Sequence, residues 1–319
     1  MKKIITLLLA AMMLFSLAAC GDSGSKDVFK VGVVQLVQHP ALDNATQGFI
    51  DGLTAELGKD KVEIEVKNAS GDIPTCSTIV NGFVSSNVDL IMANATPALV
   101  AAASATTEIP VLGTSVTDYG DALELENFDG VIGTNVSGTS DQPPLDEQAA
   151  MVTELCPEAK TVAILYCSAE SNSVFQAKAV RGYLEDAGIE VIEQTFTDSN
   201  DVASATTSAC EKADAIFIPT DNTAASCAEA IGQIVLEKGV PVIAGEEGLM
   251  AACGIATLSI DYYNLGVATG KMAAKILSGE ANVAEMPVEY DPDPVKKYNP
   301  TICEQLGIEA PEGYTAYEG

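Results

Sequence analysis

Hydrophobic and polar positions alternate along this chain in a pattern that predicts strands and helices in turn. Residues 30–34 (KVGVV) form a short β-branched run, typical of a strand that is covered on both faces as in a parallel sheet. After a polar loop, apolar residues recur at helical spacing from Ala41 to Leu53. Because ligands of open parallel sheets lie beyond the carboxyl ends of the strands, this loop is a candidate pocket mouth.

The same alternation predicts two α/β units of similar size. In the first unit, the predicted strands are 62–66, 88–93, 109–114 and 131–133, and the predicted helices are 75–84 and 96–105. In the second unit, the predicted helices are 145–155, 173–187, 202–210 and 223–237, and the predicted strands are 161–166, 189–195, 215–219 and 240–244. The polar, glycine-containing run 135–140 between them suits a crossover between domains. The expected fold class is therefore α/β, with two doubly wound parallel-sheet domains.

The last predicted elements of the chain exceed those needed to complete the second α/β unit. A strand at 255–260, a helix at 262–278 and a strand at 287–290 are expected to return to the first unit, and the proline-rich tail should be mostly irregular. Domain boundaries follow from this interpretation. We expect an N-terminal domain of 28–136 plus 256–286, and a C-terminal domain with the tail of 137–255 plus 287–319, joined by a multi-strand hinge.

Residues 1–19 have the composition of a secretory signal: Lys2 and Lys3, an apolar stretch, then small residues. The sequence LAAC ending at Cys20 resembles the lipobox of bacterial lipoproteins, which implies a signal peptide cleaved before Cys20, acylation (palmitate) at that cysteine, and a location on the extracytoplasmic face of the cell membrane. The alternative is an ordinary signal peptide with a chance cysteine. Residues 20–27 are small and polar, as expected of a flexible tether.

Charge and cysteine content exclude several classes of protein. The formal net charge of −29 makes nucleic acid an implausible partner and leaves membrane attachment to the lipid. Besides Cys20 there are seven cysteines without any C-x-x-C spacing, so we expect mostly buried small hydrophobes, with one or two isolated disulfides still open. No G-x-S-x-G, P-loop, G-x-G-x-x-G or H-E-x-x-H motif occurs. These observations predict no enzyme, no cofactor and no metal site.

Three loops share one design, in which a strand ends and a Ser, Thr, Asn or Asp residue opens a helix. They lie at 94–97, 171–173 and 220–223, where free N–H groups and the positive helix end can hold a carboxylate. The alternative is that each is a plain N-cap. Asp221 is the best candidate for binding an ammonium group, with Glu170 and Glu246 as competitors. His39, the sole histidine, either contacts ligand or packs in a turn, with equal weight.

Aromatic residues near strand ends are candidates for an apolar side-chain pocket, although packing is the commoner role for each of them. They are Tyr119, Tyr166, Phe217 and Tyr262.

Seven segments together resemble one family, that of ABC-transporter substrate-binding lipoproteins associated with tryptophan or tyrosine, which have the type 1 periplasmic-binding-protein fold. The segments are VQHPALDNATQGFIDGL (37–53), DLIMANATPALVAA (89–102), PVLGTSVTD (110–118), SGTSD (137–141), SNSVFQ (171–176), PTDNTAAS (219–226) and IDYYNLG (260–266). The resemblance implies a monomeric receptor that closes on an α-amino acid, aromatic or otherwise apolar, and delivers it to an ABC permease and its ATPase.

The segments and the three loops together give a set of expected ligand-binding residues: Gln38, His39, Leu42, Thr96, Ser115, Ser140, Asn172, Ser173, Asp221, Asn222 and Glu246. Two other functions stay open. A sugar or nucleoside receptor of the same fold would need stacking aromatics and more hydroxyl-binding residues, and Arg181 is the sole clear arginine. A surface adhesin would not need the three capped loops to face a cleft.

Overall fold

The computed structural model describes residues 28–290 and 294–319. The predicted signal peptide, Cys20 and the tether lie outside these residues. In the part of the chain that is described, no helix combines the length and the apolar character needed to cross a bilayer.

The first half is a six-stranded parallel sheet with helices on both faces, in the strand order β11-β5-β4-β3-β1-β2. Its strands are β1 (Phe29–Gln35), β2 (Val62–Asn68), β3 (Leu90–Asn94), β4 (Val111–Val116), β5 (Val136–Ser140) and β11 (Glu289–Tyr290). Its helices are α1 (Pro40–Leu57), α2 (Ile73–Ser85), α3 (Thr96–Ala105), α4 (Tyr119–Ala122) and α11 (Tyr262–Leu277).

Strand β1 shows why these elements form a layered sheet. Val31 and Val33 point into a cluster with Phe49 of α1 and Met272 of α11, whereas Val34 points into a cluster with residues of α2 and α3. Both faces of the strand are therefore buried, as the β-branched run predicts, and the hydrophobic effect fixes the register of the sheet.

The second half repeats this plan in the order β13-β12-β10-β9-β8-β6-β7. Its strands are β6 (Thr161–Cys167), β7 (Glu190–Phe196), β8 (Ala215–Ile218), β9 (Val242–Ala244), β10 (Ala256–Ser259), β12 (Val295–Tyr298) and β13 (Thr315–Ala316). Its helices are α5 (Leu145–Leu155), α6 (Ser171–Asp186), α7 (Val202–Lys212), α8 (Asn222–Ser226), α9 (Ala228–Lys238), α10 (Glu247–Cys253) and α12 (Pro300–Leu306). The β12–β10 pair is antiparallel, and the other pairs are parallel. The predicted α/β class with two doubly wound sheets is confirmed.

Several predicted boundaries differ from the structure. Residues 136–140, expected to be a crossover, form β5 of the first sheet, and the crossover follows at 141–144. Residues 131–133 make a single bridge between Val131 and Pro287 and no strand. The helix predicted at 223–237 is interrupted at Cys227, whose φ of −114° and ψ of 13° are not helical.

The largest correction concerns the end of the chain. The sequence assigned 255–260 to the first domain, but β10 pairs with β9 and β12 within the second sheet, so the chain crosses back only after it. Strand β11 pairs with β5 of the first sheet, which confirms the expected return of 287–290 to the first unit and shows that the boundary drawn at 286 is wrong. The tail is not irregular, because Asn299 caps α12 and Pro300 occupies its first turn, where a proline is tolerated.

The chain thus passes between the halves three times, after β5, after β10 and after β11. All seven cysteines beyond Cys20 are free thiols, and four of them are buried: Cys76, Cys167, Cys253 and Cys303.

Candidate functional site

Strand order reverses once in each sheet, and the two reversal points define the cleft. In the first half, β2 and β3 lie on opposite sides of β1; in the second half, β7 and β8 lie on opposite sides of β6. The loops that leave such neighbouring strands in opposite directions open a crevice at their carboxyl ends. Loops 36–39 and 95–96 therefore face the cleft from the first half, and loops 168–170 and 219–221 face it from the second.

The first half presents hydroxyl groups on a strained backbone. Ala95, directly before α3, has φ 92° and ψ 154°, and Ser115, at a bulge in β4, has φ 54°. Such conformations are costly for residues other than glycine and cluster at binding sites. The hydroxyls of Thr96 and Ser115 are buried without a hydrogen-bond partner among the described residues. No side chain caps α3. The Ala95 N–H donates to Thr114 O at 3.0 Å, which places Ser115 next to a residue that contacts the positive end of that helix.

The second half presents two buried carboxylates. Glu170 and Asp221 are each 1% exposed. Glu170 accepts hydrogen bonds from Asn222 Nδ2 at 2.6 Å and from the backbone N–H and hydroxyl of Thr223 at 2.8 and 2.7 Å. Asp221 accepts from the N–H of Cys167 and from the N–H of Ala224, both at 2.7 Å. Burial, together with the neighbouring charge of Glu170, raises the pKa of Asp221 to about 7.

His39 joins the two sides of the cleft. Its Nε2 lies 3.3 Å from Asn222 Oδ1, while its Nδ1 is buried without a hydrogen-bond partner among the described residues. Burial lowers the pKa of His39, so the ring is neutral at pH 7. A neutral imidazole has one donor and one acceptor nitrogen. Asn222 Oδ1 can only accept, because Asn222 Nδ2 donates to Glu170, so Nε2 of His39 carries the proton and Nδ1 accepts a hydrogen bond.

Two further buried carboxylates lie at the first crossover and at the start of α10. Asp141, in the first crossover, accepts from Tyr262 OH at 2.9 Å and from Thr117 Oγ1 at 3.3 Å. Burial raises its pKa to about 6. Glu246 caps α10 through the N–H groups of Gly248 and Leu249, at 2.7 and 2.5 Å, and burial raises its pKa to about 7.

The structure brings some of the predicted residues together and separates others. Seven lie on the cleft-facing loops or on the strand end and first helical turns beside them: His39, Thr96, Ser115, Asn172, Ser173, Asp221 and Asn222. The Ser140 hydroxyl instead donates to Thr117 O at 2.8 Å, and Leu42 packs in the core between β1 and α2. Gln38 is exposed and, with Glu246, lines an outer groove of about 1590 Å³ between the halves. That groove is open to solvent and lacks the unpaired hydroxyls, so we place the site at the reversal points.

Four polar residues near the cleft were not among those predicted to bind ligand: Asp141, Thr117, Gln176 and Glu170, the last considered only as a competitor of Asp221. Their signal was weak because all four are common surface residue types. Their hydrogen-bond partners are mostly distant in sequence, such as Asn222 for Glu170, Tyr262 for Asp141 and Gln176 for Thr117, so local sequence does not reveal their burial.

The balance of charge in the cleft favours a cationic group on the ligand. Glu170 and Asp221 at the cleft, and Asp141 at the first crossover, are all buried. In residues 28–290 and 294–319, the ion pairs of lysine and arginine are formed instead with Glu65, Glu193, Glu154 and Glu247. Buried carboxylates without a cation are costly, and unpaired buried hydroxyl or amide groups cost about 1–3 kcal/mol each. The unpaired atoms include His39 Nδ1, Thr96 Oγ1, Ser115 Oγ and Asn172 Oδ1.

Comparison with known proteins identifies the family to which this cleft belongs. Residues 30–318 match the family described as ABC transporter substrate binding protein. The chain belongs to that family. Its members are solute receptors and not enzymes, which agrees with the absence of catalytic motifs in the sequence.

Two similar proteins have an aromatic amino acid as their ligand. A tyrosine-binding protein of Clostridioides difficile is 35% identical over 302 residues, covering 90% of this chain and 87% of that protein. A Streptococcus pneumoniae domain solved in complex with L-Trp is 35% identical, with a TM-score of 0.86, and the match covers 91% of this chain and all of that one.

A third similar structure bears on the conformation. It is a ligand-free, open structure of a Clostridium difficile substrate-binding protein with adhesive properties, 38% identical over 91% of this chain and 99% of that chain, with a TM-score of 0.68. Identity to the two structures is nearly equal, so sequence divergence does not explain the lower TM-score. This chain therefore superposes more closely on the L-Trp complex than on the open, ligand-free structure.

Proposed function

We propose that this protein is the lipid-anchored receptor of an ABC importer and that it binds an aromatic or other apolar α-amino acid between its halves. One observation carries the proposal: the halves close over buried carboxylates that have no protein cation among the described residues and over buried polar atoms that have no protein partner there. A zwitterion supplies the missing cation and the missing acceptors. The tyrosine- and L-Trp-binding relatives support this class of ligand.

The two ends of the zwitterion have different partners in this proposal. The ligand ammonium group lies beside Asp221 and Glu170, with Asn172 Oδ1 as a further acceptor. The ligand carboxylate lies at the start of α3, where the Thr96 and Ser115 hydroxyls donate and the helix end favours an anion. Contacts from both halves make the closed state more stable when ligand is bound, which is hinge closure.

Binding is tested by a thermal shift assay of the purified protein. L-Tyr or L-Trp should raise the melting temperature in proportion to the logarithm of concentration, because the ligand binds only the native state. D-glucose and adenosine serve as controls and should leave it unchanged. A shift with the sugar or the nucleoside alone would show that the ligand class is wrong.

Anchoring and transport complete the proposal. Cys20, in LAAC, carries the lipid on the extracytoplasmic face of the cell membrane, and the receptor acts as a monomer that delivers ligand to a permease and its ATPase. Cys20→Ser should release the protein from the membrane fraction or leave its signal peptide uncleaved. The matched control is Cys227→Ser, which changes a half-buried thiol and should not alter membrane retention. Membrane retention of processed Cys20→Ser protein would contradict the anchor.

A further inference from the structure

A glutamine amide in α6 fixes the position of the loop that carries Asp221. Gln176 is fully buried, and its Oε1 accepts from the N–H of Thr220 at 3.1 Å while its Nε2 donates to Thr220 O at 3.2 Å. This two-point pairing with one backbone residue settles which end of the amide is the nitrogen. The two hydrogens of Nε2 are shared among three acceptors: Thr220 O, Asn172 O at 3.2 Å and, across the cleft in the first half, Thr117 Oγ1 at 3.3 Å.

Thr117 is itself fixed from the hinge side. Its carbonyl accepts from the Ser140 hydroxyl at 2.8 Å, and its own hydroxyl donates to Asp141 Oδ1 at 3.3 Å. Asp141 lies in the first crossover and accepts from Tyr262, the first residue of α11 after the second crossover, at 2.9 Å. The Thr117 hydroxyl thus has the hinge carboxylate as acceptor and the Gln176 amide as donor.

The Gln176–Thr117 bond crosses the cleft, so it can exist only when the halves are closed. The His39–Asn222 contact crosses at the end of β1, and Thr117 follows the end of β4, so the two contacts lie on either side of β3 and the Thr96 loop.

We propose that the Thr117–Gln176 hydrogen bond is a closure latch, which couples the hinge at Asp141 to the ligand loop at Thr220 and Asp221. Both are positioning residues that do not touch the ligand. The latch rests on the proposed function to the extent that a ligand closes the halves.

The decisive variant is Thr117→Val, which preserves shape and removes the hydroxyl. It removes the bond that Gln176 makes across the cleft, a cost that falls on the closed state. It also leaves Asp141 with one donor fewer, a cost common to both states because Thr117 and Asp141 follow adjacent strands of the first half. Dissociation of L-Tyr or L-Trp should become about tenfold faster, which corresponds to one lost hydrogen bond. Thr117→Ser retains the hydroxyl and should restore the parental rate.

Thr206→Val is the matched control. Thr206 is fully buried in α7, and its hydroxyl donates to Val202 O within the same helix at 2.7 Å, far from the cleft. It should lower the melting temperature of the ligand-free protein about as much as Thr117→Val does, without changing dissociation. A dissociation rate of Thr117→Val within twofold of the parental rate would overturn the latch.

Small-angle scattering of the ligand-free protein separates failure of the latch from failure of the amino-acid proposal. If the parental protein binds neither L-Tyr nor L-Trp, the amino-acid proposal fails. The latch still requires a larger radius of gyration for Thr117→Val than for Thr117→Ser or Thr206→Val. Equal radii in that case would overturn the latch as well.

Discussion

Asp221 has two tasks in this structure, because its carboxylate braces the protein and also adds negative charge to the cleft. Its two oxygens accept from the N–H groups of Ala224 and Cys167, so it caps α8 and ties that loop to the end of β6. A pure N-cap would not need a second carboxylate, Glu170, at the same buried point. The two tasks predict different effects of the same substitution.

Asp221→Asn keeps the shape of the side chain and removes its charge. We expect about 1–3 kcal/mol less stability, since one amide hydrogen now faces a donor, and at least about 30-fold weaker binding of L-Tyr or L-Trp, since a buried charge pair of this kind is worth about 2–5 kcal/mol. Calorimetric titration and denaturant unfolding measure the two effects.

Glu246→Gln is the matched comparison, because Glu246 is an equally buried N-cap with a similarly raised pKa. It should lose stability like Asp221→Asn but retain most of the affinity. Equal losses of affinity in both variants would mean that Asp221 acts only as a helix N-cap and does not bind the ligand.

At the residue scale, the sequence predicts the positions of loops better than it predicts the hydrogen-bond partners of their side chains. Strand ends and capping residues are local signals, so the three loops at 94–97, 171–173 and 220–223 can be located from their residues, but those residues alone do not distinguish a binding loop from a plain N-cap. Whether a hydroxyl is free or used depends on distant residues. Ser140 and Ser115 look alike in sequence, yet Thr117 O accepts from the first whereas the second has no partner among the described residues.

At the scale of elements, the contact between α1 and α11 is built on four glycines. A Cβ atom at Gly48 or Gly52 would overlap backbone of Tyr263 or Val267, and one at Gly266 or Gly270 would overlap backbone of Ala45 or Phe49. The two helices therefore pack backbone against backbone. This contact holds α11, which the chain reaches only after the second crossover, onto the first half.

Gly266→Ala tests this packing. The added methyl group meets a carbonyl oxygen that belongs to the opposite helix, so the helices must separate, and we expect about 3 kcal/mol of destabilisation. Gly182→Ala is the control, because Gly182 lies in α6 and no atom lies within 4 Å of the place that its new methyl group would take. It should stabilise by about 0.5–1 kcal/mol through helix propensity. Denaturant unfolding of both variants checks the difference, and equal stabilities would contradict close packing.

Elements were largely predictable because both faces of the central strands are buried and most helices have one apolar face. Their assignment to a sheet was not always predictable. The sequence of β10 is a short apolar run that could extend either sheet. It pairs with β9 and with the tail strand β12, and the prolines of the tail had led to the prediction that this segment is irregular. Residue patterns identify a strand, whereas tertiary contacts determine which strand lies beside it in the sheet.

At the scale of the whole molecule, buried carboxylates couple ligand binding to pH. Burial is the main cause that raises the pKa of Asp141 to about 6 and the pKa values of Asp221 and Glu246 to about 7. In the unfolded chain such groups ionise near about pH 4. Between about pH 4 and 7 the ligand-free folded protein therefore binds more protons than the unfolded chain. The contribution of these three carboxyl groups to the free energy of unfolding is complete below about pH 4 and is lost as pH rises through 6 and 7.

A ligand ammonium group lowers the raised pKa of Asp221, because an adjacent cation favours the ionised carboxylate. Binding of L-Tyr or L-Trp at about pH 6.5 should therefore release protons, and affinity should rise from about pH 5.5 to 7.5. Titration calorimetry at that pH in phosphate and in imidazole, whose ionisation enthalpies differ, gives the number of protons released. Asp221→Asn should release fewer protons than the parental protein, whereas Glu246→Gln should release as many. Proton uptake by the parental protein, or identical release by all three proteins, would mean that the ligand cation does not lie beside Asp221.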